Sequence, residues 1–307
     1  MRIGIDLGGT KIEGVALADS GEIIARHRVG TPREYGTTVD AVVALVCTIE
    51  QMSGESGPVG IGIPGSVSLA TGLVKNANSV WLIGKPLPAD LEASLGRPVR
   101  IMNDANCFAL SEAADGAGAG AHVVFGVILG TGVGGGIVVG GQALVGPNLV
   151  AGEWGHNPLP WATPNELPGS PCFCGKNGCI ETWLAGPAFE RDHQRVTGVA
   201  LPAPEIVRRA QEGESDALAT LSRYHERLGR ALGSLINVLD PDVIVLGGGM
   251  SNVPGLAAAV TEELPKHVFS DSVSTRVVRN AHGDSSGVRG AAWLWPLADG
   301  TPRLRAD

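Results

Sequence analysis

The sequence predicts an α/β protein of two lobes, and three observations carry that expectation. Short stretches with the two-residue alternation of strands are interleaved with stretches of helical period. A hairpin with a glycine-rich tip occurs twice: Gly8-Gly9-Thr10 corresponds to Gly130-Thr131-Gly132, and Val15-Ala16-Leu17 to Ile137-Val138-Val139. The 307 residues suffice for two cores rather than one.

Residues 2–7 alternate as a strand, GGTK turns, IEGVALA alternates again, and Asp19-Ser20-Gly21 leads into a third strand through GEIIARHRV. A helix follows, with Val39, Val42, Val43 and Val46 on one face and Thr37 and Asp40 at the spacing of a capping box. Cys47 belongs to that valine-rich face and reads as core. GPVGIGIPGSV is a short buried strand running into a Gly-Pro-Gly loop. RPVRIMNDANCFALSEAA is a strand that ends near Asn103-Asp104 and passes into a helix, with Cys107 packed inside it. From residue 121, HVVFGVILGTGVGGGIVVGGQALV is strand, glycine turn, strand, turn, strand. Leu218, Leu221, Leu228, Leu232, Leu235 and Leu239 fall at helical spacing, and Asp240-Pro241 ends that helix. VIVLGGGMS is a buried strand with a glycine-rich exit, and GVRGAAWLW is a closing helix.

Composition narrows the function classes. Apolar residues at 44% and charged residues at 18% are ordinary for a soluble globular protein. A net charge of −8 opposes a general grip on nucleic acid, which relies on Lys and Arg against phosphates. Asp6 lies inside the first strand, with no apolar run and cleavage site of a secretory signal around it. Residues 116–152 hold no Asp, Glu, Lys or Arg, yet their glycines suit a buried hairpin better than a membrane helix. A cytoplasmic protein without nucleic-acid or membrane partners is expected, in a compartment that disfavours disulfides.

The glycine loops point to phosphate. DLGGTKIEGVAL continues into a strand rather than a helix, so it is not a dinucleotide fingerprint, and no P-loop pattern occurs. What remains is Gly8, Gly9, Thr10 and Lys11 at one hairpin tip and Gly130, Thr131, Gly132, Val133 and Gly134 at the other. Bare backbone lets N–H groups approach a polyphosphate, while the threonine hydroxyls and the Lys11 ammonium add donors. Gly247 and Gly248, after the strand at 243–246, offer a flat surface for a base or ribose.

Three cysteines crowd PCFCGKNGCIE, with His156 of GEWGH upstream. Cys172, Cys174, Cys179 and His156 suit tetrahedral zinc, and a surface-exposed reactive thiol cluster is the alternative reading.

GIDLGGTK, NDAN, GEWGH, CxCGxxGCxE and DPDVIVLGGG together resemble the ROK family of bacterial sugar kinases and repressors, within the hexokinase–actin–Hsp70 superfamily. The resemblance covers nearly the whole chain and is thinnest between Ala188 and Arg227. It implies a ribonuclease H-like, two-lobed α/β fold with an interlobe cleft. The lobes would be residues 1–115, completed by a C-terminal helix within 286–307, and residues 116–285, with a zinc loop at 153–181. It also implies ATP with Mg²⁺ near Asp6 through water, and a structural Zn²⁺ on His156, Cys172, Cys174 and Cys179. Asp104 becomes the base that takes a proton from a sugar hydroxyl, beside Asn103. Gly65, Asn78, Glu153, Glu181 and the second nitrogen of His156 would contact the sugar. A homodimer is an assembly common in the family.

These features imply an ATP-dependent hexose kinase. A repressor of the family would carry a helix-turn-helix before the first strand, which here starts at Arg2. A non-catalytic sugar sensor would lack the base or a phosphate loop. IPGSVSLATGLVKNANSVWL, AGEWGHNPLPW and HGDSSGVRGAAWLWP look most like fructokinases of the family, so D-fructose is the expected substrate, with mannose also accepted. N-acetylglucosamine or glucose kinase is the alternative.

Overall fold

The computed structural model describes residues 1–77 and 79–296. Asn78 and the end of the chain beyond 296, both named in the sequence expectations, lie outside the described residues. In chain order the elements are β1 (Arg2–Leu7), β2 (Lys11–Leu17), β3 (Ile23–Gly30), α1 (Tyr35–Ser53), β4 (Val59–Ile63), β5 (Ser66–Val67), β6 (Val74–Lys75), α2 (Leu87–Leu95), β7 (Val99–Asn103) and α3 (Asp104–Asp115). There follow β8 (Val123–Leu129), β9 (Val133–Val139), β10 (Gln142–Ala143), α4 (Glu181–Leu184), α5 (Gly186–Thr197), α6 (Ala203–Gln211), α7 (Ser215–Leu239), β11 (Val243–Gly247), α8 (Leu256–Glu263), β12 (Arg276–Arg279) and α9 (Ser286–Ala292). The duplication read from the hairpins extends to the sheets. One five-stranded sheet runs β3-β2-β1-β4-β7 and the other β10-β9-β8-β11-β12, the same order of first to fifth strand.

The chain divides into two compact units. The first comprises residues 1–121, 136–151 and 281 onward. Residues 136–151 were expected in the second lobe. They belong with the first unit because Gly136 packs against the backbone of Ala105 and Asn106 in α3, where a Cβ would find no room.

In the first unit β1 pairs antiparallel with β2 and parallel with β4. Alternation sorts the two faces of β1. Ile3, Ile5 and Leu7 are fully buried in a core that takes in Val42, Leu45, Val46 and Ile49 of α1. Gly4 and Asp6 face the other way, toward α9: a Cβ on Gly4 would meet the Val288 carbonyl at 2.1 Å, and one on Gly287 would sit 3.3 Å from the Asp6 carboxylate. α1 starts earlier than the expected Thr37–Asp40 box. Glu34 is its N-cap, accepting bonds from the N–H groups of Gly36 (2.9 Å) and Thr37 (2.8 Å). The Thr37 hydroxyl instead donates to Glu34. Cys107 is buried as expected, but Cys47 is exposed, since the buried stripe of α1 runs through Val39, Val42, Leu45, Val46 and Ile49 and leaves Cys47 off it.

The second unit comprises residues 122–135 and 152–280. β11 lies parallel to both β8 and β12, and Val243, Ile244, Val245 and Leu246 are all buried. The buried face of α7 runs through Tyr224, Leu228, Leu232 and Ile236, whereas Leu218 is exposed. Among the described residues no helix is long and apolar enough to cross a membrane.

Candidate active site and metal centre

The first unit holds a cavity of about 440 Å³ beside its hairpin tip. The tip turns by a bond from the Gly8 N–H to the Lys11 carbonyl (3.0 Å), and a Cβ on Gly8 would sit 2.9 Å from that same oxygen. Thr31, just beyond β3, braces it: the Thr31 N–H donates to the Thr10 carbonyl (3.1 Å) and its hydroxyl to the Gly8 carbonyl (2.7 Å). Asp6, Gly8, Gly9, Thr10 and Asp104 line the cavity, so these predicted residues are brought together. Lys11 is exposed at the start of β2 and does not line it; Arg33 supplies the cation on its wall. Ser79 also lines it, with its side chain buried and its hydroxyl near Gly9, without a hydrogen-bond partner among the described residues. Arg33 belongs to no quoted motif, and Ser79 ends KNANS without having been singled out; only the folded loops bring them here.

Asn103 and Asp104 divide their work at the junction of β7 and α3. Asn103 is the N-cap, its Oδ1 accepting from the N–H groups of Ala105 (2.9 Å) and Asn106 (3.4 Å). Its Nδ2 donates to the Gly65 carbonyl (3.2 Å), so the predicted sugar residues Gly65 and Asn103 are joined to each other. Asp104 opens the helix, where its Oδ1 accepts from the Ala105 N–H (2.8 Å). Burial, then the neighbouring carboxylates of Asp104 and Glu13, push the Asp6 carboxyl up to about 6. Glu13, opposite Asp6 in the ladder, is itself buried under Arg26 (2.6 Å) and Arg28 (2.7 Å).

In the second unit, the side-chain donors of His156, Cys172, Cys174 and Cys179 all lie within 4.8 Å of one another. Cys172 Sγ is 3.5 Å from His156 Nδ1, and Cys174 Sγ is 3.6 Å from Cys179 Sγ. Four donors on a zinc with bonds of about 2.3 Å would stand about 3.8 Å apart, so the set fits that ion and closes its coordination. The local fold explains the clustering. The Cys172 N–H donates to the Lys176 carbonyl (2.8 Å) across a turn with Gly175 at φ 86°. Reciprocal bonds, Leu159 N–H to Gly178 carbonyl (3.0 Å) and Ile180 N–H to Asn157 carbonyl (2.8 Å), bring the histidine segment beside Cys179. Burial, then the adjacent thiols, push the Cys179 thiol up to about 12; a divalent cation would relieve that crowding and release protons. Glu153 is exposed just before the turn that carries His156. Glu181 Oε2 accepts from the Val133 N–H (3.0 Å).

A buried brace behind the metal loop escaped the sequence reading. Glu166 accepts from Arg227 (2.8 Å) and Arg230 (2.8 Å) of α7. Burial alone would raise the Glu166 carboxyl, but the guanidinium bonds hold it down at about 2. Nothing in the spacing of these residues announces that they meet.

A second cavity, about 520 Å³, lies within this unit beside the other hairpin tip. Gly130 and Thr131 border it, and Pro187, Pro204, Val207 and Met250 give it apolar walls. Gly247 and Gly248, expected as the platform, do not line it; Gly249 does. Gly248 serves the backbone instead, with φ 80° and the Leu129 carbonyl 2.5 Å from where a Cβ would stand. A larger cavity of about 930 Å³, between the end of α7 and the 268–276 loop, contains none of the predicted residues.

Residues 2–298 match the ROK family. An N-acetyl-D-glucosamine kinase of Escherichia coli O157:H7 is 43% identical over 300 residues, spanning 96% of this chain and 99% of that protein. A ROK hexokinase from Thermus thermophilus superposes with a TM-score of 0.84 at 32% identity, covering 95% of this chain and 96% of its own. A ROK family glucokinase from Streptomyces griseus, solved with glucose and AMPPNP, superposes with a TM-score of 0.77 at 29% identity, covering 95% of this chain and 98% of its own.

Proposed function

The chain belongs to the ROK family, and from that premise we propose that it is an ATP-dependent N-acetyl-D-glucosamine kinase. The observation that carries the chemistry is the shared cavity of Asp104 and the Gly8-Gly9-Thr10 tip. A carboxylate able to take a proton stands beside a backbone able to bind phosphate. The substrate follows from the E. coli relative, which matches nearly end to end. That relative favours the alternative over the D-fructose expected from the motifs.

In this reading the hexose hydroxyl oxygen attacks the γ-phosphorus and Asp104 takes the hydroxyl proton. The bond from the γ-phosphorus to the bridging oxygen breaks, and ADP leaves. The apolar cavity of the second unit takes the adenosine and the Gly130–Gly134 tip takes its phosphates. Asn103 caps the helix that Asp104 opens, and its Nδ2, with one N–H on the Gly65 carbonyl, has a second N–H for a sugar hydroxyl. Asp6 would hold the Mg²⁺ that accompanies ATP, which neutralises charge on the leaving phosphates. Zn²⁺ on the Cys₃His set would be structural, fixing the loop that carries Glu153, His156 and Glu181.

The test is ADP release with N-acetylglucosamine, glucose, mannose and fructose in parallel. The highest kcat/KM is expected with N-acetylglucosamine; fructose in that place would restore the other substrate. Asp104→Asn should lose about 10²–10⁴ in kcat while retaining sugar and nucleotide binding. Near wild-type turnover in that variant would remove Asp104 from the role.

A further inference from the structure

Resting on the assignment of the Gly130–Gly134 tip to nucleotide phosphates, we propose that Glu181 is a positioning residue through which the metal centre sets the nucleotide affinity of that tip.

The contacts form one continuous path. Cys179, a ligand, starts α4 with its own backbone: its carbonyl accepts from the Thr182 N–H (2.8 Å) and the Thr182 hydroxyl (2.7 Å). α4 has only four residues and so cannot hold its shape unaided. Its first residue, Glu181, accepts the Val133 N–H on Oε2 (3.0 Å). A Cβ on Gly132 would stand 2.6 Å from that oxygen, so tip and carboxylate are in direct packing. The other oxygen, Oε1, lies 3.9 Å from Sγ of the ligand Cys172. Immediately after α4, the Gly186 N–H donates to the Gly130 carbonyl (2.8 Å). The segment led by Cys179 therefore holds the tip at both ends.

Metal loss would let the crowded thiols part and unfasten the first turn of α4. Glu181 would then withdraw from Val133, leaving the tip without the bond that sets its shape. Because coupling between two binding events is reciprocal, nucleotide at the tip must also be felt at the metal.

Calorimetric titration of the full chain with ADP tests this. Stripping zinc with a chelator should weaken ADP binding by about fivefold or more in wild type. In Glu181→Ala, the zinc-loaded protein should already bind ADP as weakly as the stripped wild type, with a further loss on stripping below about twofold. Glu181→Gln, whose amide oxygen can still accept from Val133, should keep the metal dependence. A second readout keeps the metal site filled and is blind to unfolding of the stripped chain. In the Co²⁺-loaded protein, ADP should shift the cobalt absorption bands of wild type and Glu181→Gln, and leave those of Glu181→Ala unmoved. Equal losses on stripping in wild type and Glu181→Ala would overturn the proposal, as would an unmoved cobalt spectrum in wild type that demonstrably binds ADP. Failure of zinc-loaded wild type to bind ADP at all would instead overturn the assignment of the tip, and this inference with it.

Discussion

Asp6 shows how one position can be legible in sequence while its surroundings are not. Its place in the alternation of β1 already marked it as a carboxylate on a face that strands rarely charge. Its neighbours required the fold, since Asp104 comes from β7 and α3, and Glu13 from across the ladder. With its carboxyl raised from 3.8 to about 6, the native chain binds more protons than the unfolded one between those values. Stability therefore falls as pH rises through that window, and the deficit is complete above it. Asp6→Asn should raise the urea midpoint at pH 7.5, by at most about 3 kcal/mol in stability for two pKa units, and leave it nearly unchanged at pH 3.5. A midpoint at or below wild type at pH 7.5 would show that burial does not penalise this carboxylate. Arg33 and Ser79 stayed hidden because an exposed arginine and a buried serine are unremarkable in sequence; each acquires meaning only from the cavity it lines.

The elements themselves were read well wherever the apolar pattern is continuous: β1 falls on its alternation, β4 and β11 are buried along their whole length as their apolar runs imply, and α7 spans its leucine-rich stretch while burying Tyr224, Leu228, Leu232 and Ile236. The start of α1 was harder, because capping depends on which side chain reaches which N–H: Glu34 does so here, whereas the junction of β7 and α3 falls at Asn103-Asp104 as read. Helices α5 and α6 escaped because they lie where motifs are sparse, and the brace at Glu166 because its arginines come from α7, 61 and 64 residues on. The tightest packing between elements is glycine against backbone. A Cβ on Gly290 of α9 would lie 1.7 Å from the Cys107 carbonyl of α3, and one on Gly60 of β4 would lie 1.8 Å from the Ala291 carbonyl. A backbone neighbour cannot swing away as a side chain can. Gly290→Ala should thus cost about 3 kcal/mol or more, at or beyond the upper end of ordinary overpacking, and chemical denaturation measures it directly. A cost below about 1 kcal/mol would mean that α9 slides freely over α3.

At the scale of the whole molecule, the repeated hairpin foretold the repeated sheet order, because the same alternation and the same glycine tip recur at the same place in each. The division into units was less legible, since it depends on which segments pack together rather than on distance along the chain. The first unit is closed by residues 281 onward, with Val288, Ala291 and Ala292 fully buried. Arg289 binds the Asp115 carboxylate and donates to the Gly21 carbonyl (2.8 Å), fastening α9 to both α3 and the β2–β3 turn. A chain ending at Asn280 should therefore lose the protected amides of β1 and β4 in hydrogen exchange, while β8 and β11 keep theirs. Protection of β1 and β4 equal to that of the full chain would show that the first unit closes without α9. The same return has a consequence during synthesis. A ribosome that has made the first 280 residues has delivered every strand of one sheet but not the helix that seals it. Until the segment from residue 281 emerges, the apolar surface that Val288, Ala291 and Ala292 cover stays open to solvent in the nascent chain.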